Sequence, residues 1–202
     1  MPLKAWLLFV RHGQTDWNLE GRWQGSSDVP LNASGLEQVE QAVAKLASFR
    51  IDAIYSSPLT RSLETARAIA RRVGLGVIVD PRLAEISLGE WEGMQAGQIE
   101  EEYPELYRRW EDDPRGVRPP GGETIREVHD RAIAAVEEIA ARHLGGRACV
   151  VTHKTVIVVV RCHYLGLSLP EEMRMMPPNA AYEIMEVKVG NRNYPCCSAV
   201  RL

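Results

Sequence analysis

Two histidines in this 202-residue chain each follow a short apolar run: "LLFVRHGQTDWN" delivers Arg11 and His12, and "RACVVTHKT" delivers His153 and Lys154. A third run leads into "SSPLTR", with Arg61 just behind it. A planar guanidinium takes phosphate oxygens two at a time, so a pair of arginines suits a dianionic phosphate. Nearby cations disfavour imidazolium, which keeps a His12 nitrogen uncharged near neutrality and able to attack phosphorus in line, giving a phosphohistidine. The leaving oxygen then needs a proton donor, and "RLAEISLGEWEG" offers Glu85, Glu90 and Glu92. Metal ligation by His12 and His153 is opposed by the same two arginines, whose charge repels a cation. The chain has no G-x-x-x-x-G-K-[ST], G-x-G-x-x-G, H-E-x-x-H or G-x-S-x-G string, which removes the common local signatures of nucleotide, zinc-protease and serine-hydrolase sites.

These residues converge only if the right elements carry them. Residues 5 to 10, 51 to 56, 76 to 79 and 147 to 152 form short, continuously apolar runs, the pattern of strands covered on both faces of a parallel sheet. Helical periods separate them. In "SGLEQVEQAVAKLASF" a capping box of Ser34 and Glu37 precedes Leu36, Val39, Val43 and Leu46 at helical spacing. "SSPLTRSLETARAIARRVG" has Pro58 near its first turn, an apolar stripe of Leu59, Leu63, Ala66, Ile69 and Val73, and Gly74 as a stop. "GGETIREVHDRAIAAVEEIAARHLGG" lines Ile125, Val128, Ala132, Ile133, Val136 and Ile139 on one face and ends at a glycine pair. "HKTVIVVVRCHYLG" fits a strand or a buried helix, and its place directly after a strand favours the helix. The tail from 180 alternates around "GNRN" and predicts an antiparallel hairpin on the sheet edge, which either serves a homodimer or is covered. In such sheets ligands bind beyond the carboxyl ends of the strands, where Arg11, His12, Arg61, Thr152 and His153 fall.

Composition bounds the reading. With 45% hydrophobic and 25% charged residues, the chain suits one domain over 1–202 with a single substantial core. The polar, aromatic-dotted segment at about 91–123 is the expected insertion or lid. A formal net charge of -3, with bases interspersed among acids, gives no footing for nucleic acid. Only four of the 24 basic residues are lysines, a bias that suits phosphate or carboxylate recognition and equally fits genome composition or thermal adaptation. The first apolar run is too short for a signal-peptide core and no stretch approaches a membrane span, so the expectation is a cytoplasmic protein with no membrane partner. Cys149, Cys162, Cys196 and Cys197 lack zinc-site spacing and read as reduced thiols. His129 reads as a helix-surface residue, His143 as a cation near a helix C-terminus and His163 as structural. Trp17, Trp23, Trp91 and Trp110 either pack or shape the organic part of a substrate.

The strings "RHG-x-T", "SSPL-x-R-x-x-x-TA", "LAEISLGEWEG", "PPGGET" and the late "VVTH", in that order along nearly the whole chain, resemble the histidine phosphatase superfamily, also called the phosphoglycerate mutase-like family. The resemblance implies an α/β three-layer sandwich with a mostly parallel central sheet flanked by helices. It implies His12 as the phosphorylated nucleophile, Glu85 as proton donor, and Arg11, Arg61 and His153 as the phosphate pocket. Asn18 would contribute, with Thr15, Gln24 and Gly25 lining it, and no metal or organic cofactor is expected. Lys154 follows the second histidine, where the family usually has a small residue; it either adds a cation, crowds the pocket or swings away. "LGEWEGM" continues in the manner of the phosphatases, so the expected reaction is hydrolysis of a small phosphomonoester such as a sugar phosphate, a phosphorylated carboxylate or a ribazole phosphate. The alternatives are a phosphoglycerate mutase and a non-catalytic phospholigand sensor or scaffold.

Overall fold

The computed structural model describes residues 3–175, 177–189 and 199–200. Six strands form one sheet in the order β3-β2-β4-β1-β5-β6: β1 (Leu3–Arg11), β2 (Ala53–Ser56), β3 (Val77–Val79), β4 (Arg147–Thr152), β5 (Tyr182–Val189) and β6 (Ala199–Val200). The first four are mutually parallel, whereas β5 runs antiparallel to β1 and β6 antiparallel to β5. The tail therefore supplies the expected antiparallel edge, while the "GNRN" turn, Cys196 and Cys197 lie outside the described residues.

Helices α1 (Asp16–Leu19), α2 (Ala33–Leu46), α3 (Thr60–Val73), α4 (Ala96–Glu102), α5 (Pro104–Asp112), α6 (Ile125–Arg142), α7 (Lys154–Leu165) and α8 (Leu169–Arg174) fill the connections. Alternation along the strands sends Leu8, Val10, Ile54, Cys149 and Val151 to one face, where they meet Val39, Val43 and Leu46 of α2 and Ala66 and Ile69 of α3. Leu7, Phe9, Tyr55, Ala148 and Val150 face the opposite way, onto the apolar faces of α6 and α7. Two cores on one sheet make three layers. Among the described residues, no helix is long and apolar enough to cross a membrane.

Local details depart from the sequence reading in four places. Asn32, not Ser34, caps α2: its side chain accepts from the Gly35 amide at 2.8 Å, and the helix starts a residue before Ser34. Leu36 is exposed because the face of α2 against the sheet runs through Gly35, Val39, Ala42, Val43 and Leu46. Pro58 lies outside α3, which starts at Thr60 because the N-cap Leu59 keeps an extended backbone, φ -66° and ψ 136°. Strand β3 is an edge rather than a covered strand: Ile78 and Val79 are about half exposed, since β2 is its sole neighbour among the described strands.

The stop signals follow expectation. Gly74 and Gly166 take φ of +73° and +65° at the ends of α3 and α7, where a side chain would be strained. Thr124 and Glu127 form a capping box that starts α6. The segment at 91–123 folds into α4, α5 and tight turns. It buries Trp91, Ile99, Trp110 and Val117 in the core shared with α6 and α7.

Candidate active site

Parallel pairing of β1 with β4 sets Arg11 opposite Thr152, so His12 and His153 leave the sheet side by side, their ring centroids 5.1 Å apart. The neighbouring β2 ends with Ser56 opposite Val151, and Ser57 turns the chain into the first turn of α3, which carries Arg61. Three strand ends thus deliver two guanidiniums and two imidazoles to one spot. All four side chains are buried.

His12 Nδ1 lies 2.7 Å from the Gly13 carbonyl oxygen. A carbonyl accepts only, so Nδ1 holds the ring proton and Nε2 carries the lone pair. Burial, then the charges of Arg61 and Arg11, push the His12 pKa well below the usual imidazole value. His153 directs Nε2 at the Ser57 and Ser62 hydroxyls, at 2.7 and 3.2 Å. Its Nδ1 is buried with no hydrogen-bond partner. Burial followed by Arg61, His12 and Arg11 depresses its pKa as well.

The arginines are held from behind. Arg61 donates Nη1 to the Ser27 carbonyl at 2.7 Å and Nη2 to the Gly25 carbonyl at 2.8 Å, and Arg11 donates Nη1 to the Pro177 carbonyl at 2.5 Å. Both Nε groups are buried without partners. Burial lowers both guanidinium pKa values, opposed by the attraction of Glu85, yet an arginine side chain stays charged in such settings. Glu92 anchors the loop that holds Arg61. It accepts from the Ser26 amide and hydroxyl, both at 2.8 Å, from the Leu88 amide at 3.0 Å and from the Ser27 hydroxyl. Burial raises the Glu92 pKa, but these donors outweigh it and leave the carboxyl below its ordinary value.

A cavity of about 370 Å³ opens over this cluster and is lined by Arg11, His12, Asn18, Gln24, Gly25, Arg61, Glu85 and Lys154, all expected from the sequence. Thr15 and His153 are brought close but lie behind the wall. Thr15 caps α1 by accepting from the Asn18 amide at 3.2 Å, and His153 sits under His12. Of the three candidate glutamates, Glu85 faces the cavity, Glu92 staples the loop, and Glu90 accepts from the Tyr103 hydroxyl at 2.6 Å. The Glu85 carboxylate accepts from its neighbour Ile86 at 2.9 Å and from the Thr155 amide, in the first turn of α7, at 3.3 Å. That helix start therefore serves the acid. Among the described residues, no three His, Cys, Asp or Glu side chains gather as a metal shell.

Several supports escaped the sequence reading. Arg131 of α6 donates to the carbonyls of Arg82, Ala84 and Glu85 at 2.8, 2.6 and 3.1 Å, pinning the loop that presents Glu85. Its only signal is a cation on the buried edge of an amphipathic helix. Asn179 bridges the His12 carbonyl and the Asn18 side chain from the far end of the chain, with no local signature at all. Ser57 and Ser62, which orient His153, do lie within the "SSPLTRSLETA" string. The cavity mouth adds Arg22, Trp23, Trp110, Met173 and Arg174. His129 and His163 pair with each other at 2.9 Å, away from the cavity, and His143 meets the Tyr55 hydroxyl at 3.0 Å.

Residues 7–195 match the family described as the histidine phosphatase superfamily, branch 1. Phosphoserine phosphatase 1 of Hydrogenobacter thermophilus is 36% identical over 182 residues, covering 90% of this chain and 86% of that protein. Phosphoglycerate mutase-like protein 4 of Arabidopsis thaliana is 38% identical over 156 residues, 76% of this chain and 68% of its own. A mycobacterial glucosyl-3-phosphoglycerate phosphatase, solved with VO3, superposes with a TM-score of 0.81 at 32% identity, covering 89% of this chain and 90% of that one. The three-layer fold, the ordered motifs and these matches agree: the chain belongs to the histidine phosphatase superfamily, branch 1.

Proposed function

We propose that this protein hydrolyses small phosphomonoesters through a phosphohistidine formed on His12. The observation that carries the reading is the His12 ring. Its Nδ1 proton is committed to the Gly13 carbonyl, leaving a neutral Nε2 lone pair at the floor of a cavity flanked by two arginines. Arg11 and Arg61 clamp the phosphoryl oxygens, and His153 backs the His12 ring from behind the wall. His12 Nε2 attacks phosphorus, the phosphorus–oxygen bond to the alcohol breaks, and Glu85 gives that oxygen its proton. Water then attacks the phosphohistidine while Glu85 takes a proton back, releasing phosphate and restoring both groups. Asn18, Gln24 and Gly25 complete the pocket wall, and Thr15 holds the turn behind His12.

Phosphatase names among the relatives support hydrolysis. We assign the segment at 91–123 as a lid within a single domain, because Trp110, Glu111 and Pro114 from it line the cavity while Trp91 anchors it below. A cytoplasmic setting fits the free thiols of Cys149 and Cys162.

Rapid quenching with p-nitrophenyl phosphate tests the mechanism. Wild-type protein should trap acid-labile, base-stable phosphate, and His12→Ala should lose both the label and at least about 10³-fold of turnover. Label or turnover persisting at the wild-type level rejects His12 as nucleophile. Exchange of 2- and 3-phosphoglycerate with a bisphosphoglycerate primer, exceeding phosphate release, would favour the mutase instead.

A further inference from the structure

The cavity holds more positive charge than a phosphoryl group uses. Lys154 opens α7 directly behind His153 and lines the cavity beside Glu85. The other cations on the wall are tied. Arg11 is bound to the Pro177 carbonyl, Arg61 to those of Ser27 and Gly25, Arg22 to Glu20 and the Gly93 carbonyl, and Arg174 to the Glu111 carbonyl. Among the described residues, the Lys154 ammonium alone of these makes no hydrogen bond or ion pair, although Glu85 and Glu111 attract it at longer range. Burial pushes its pKa below the usual lysine value. The Lys154 side chain is half-buried and lines the cavity unpaired, so an anion that enters the cavity can pair with it.

Charge counting identifies the visitor. A dianionic phosphoryl group matches Arg11 and Arg61. Glu85 is neutral whenever it holds the proton destined for the leaving oxygen, and in that state it offers Lys154 no counter-charge. With Glu111 on the wall offset by Arg174, one negative charge is then missing, on the side of the cavity where the alcohol portion must lie, since Glu85 has to reach the ester oxygen. A carboxylate supplies one charge. A second dianionic phosphate would overshoot and also meet Glu111 at the cavity wall.

We propose that Lys154 is a specificity-determining residue that pairs with a carboxylate on the alcohol portion of the substrate, so that the preferred esters are small phosphorylated hydroxy or amino acids. This rests on the hydrolytic reading above and narrows it. It also decides among the fates open to a lysine at this position: it adds a working cation rather than blocking the pocket.

The experiment compares 3-phosphoglycerate with glycerol 3-phosphate, which differ in a carboxylate against a hydroxymethyl group, across wild type, Lys154→Met and Lys154→Arg. Wild type should favour the acid. Lys154→Met should lower kcat/KM for the acid about 10- to 100-fold more than for glycerol 3-phosphate, chiefly through KM, the scale of one charge-assisted hydrogen bond. Lys154→Arg should keep much of the preference. Equal losses on both esters would mean that Lys154 serves the phosphoryl group, and no wild-type preference would mean that it reads no carboxylate; either overturns the proposal. Calorimetric titration of the same proteins with the same two ligands reads the preference without turnover. A protein that released phosphate from no ester would thus defeat the hydrolytic reading while still deciding this one.

Discussion

Acidification from pH 6.5 to 5 should strip stability from this fold before its carboxylates begin to titrate. His12 and His153 are 3% and 0% exposed, and burial with Arg61 and Arg11 close by holds both pKa values well below the ordinary imidazole value. In the unfolded chain each returns to about 6.5. As pH falls through that value the unfolded state takes up two protons that the folded state refuses. Stability is therefore full above about pH 6.5 and is lost below it, at up to about 1.36 kcal/mol per pH unit for each histidine. Integrated from pH 6.5 to 5, the pair removes up to about 3 kcal/mol, a large share of the 5–15 kcal/mol typical of a domain. The carboxyls of Asp52, Asp80, Asp113 and Glu127 also sit below their ordinary values, but their effect starts near the unfolded carboxylate range, below about pH 5. Urea unfolding at half-unit pH steps in phosphate-free buffer measures the slope. His153→Gln should flatten it by about one proton, and His12→Gln/His153→Gln should leave the residue due to His163, whose pKa is also depressed, by burial and by His129. A wild-type slope no steeper than that of the double variant would show that the buried imidazoles accept protons in the folded protein, and the neutral His12 nucleophile would go with it.

Two further outcomes follow from the geometry. Glu85→Gln should slow alkyl phosphates by about 10² or more while slowing p-nitrophenyl phosphate much less, because only a poor leaving group needs the proton; equal slowing in steady-state assays counts against Glu85 as the acid. Gly35→Ala would drive a methyl group into the Gln14 carbonyl where α2 presses on the turn behind His12, so urea unfolding should show a loss of about 2 kcal/mol or more. A change below about 0.5 kcal/mol would mean that α2 can slide without cost.

The sheet and its layers were legible because apolar runs and helical periods report burial directly. Every residue of the expected apolar face of α6, from Ile125 to Ile139, is buried. Errors gathered where two local signals compete. Ser34 with Glu37 imitates a capping box, yet Asn32 caps the helix from two residues earlier. The sequence cannot say that "GVIV" lies on an edge, since strand order depends on crossovers, and β4 enters between β1 and β2 from about a hundred residues away.

The site divides the same way, into what a strand end dictates and what the far chain adds. Arg11, His12, Arg61 and His153 could be found because parallel strands share a polarity, so whatever follows each apolar run must emerge at one edge. Register does the rest: one residue of slip between β1 and β4 would turn His12 and His153 from neighbours into groups on opposite faces. Helix starts were less predictable. At the head of α7 the Thr155 amide is spent on Glu85. In the proposed mechanism the phosphoryl group rests chiefly on side-chain cations, which makes their number decisive. Arg11 and Arg61 suffice for two negative charges, and Lys154, at the very residue where the chain departs from its family's usual small side chain, exceeds that need by one. A cation surplus built into a cavity wall is a statement about the substrate, and it is the part of this site that the shared motifs do not carry.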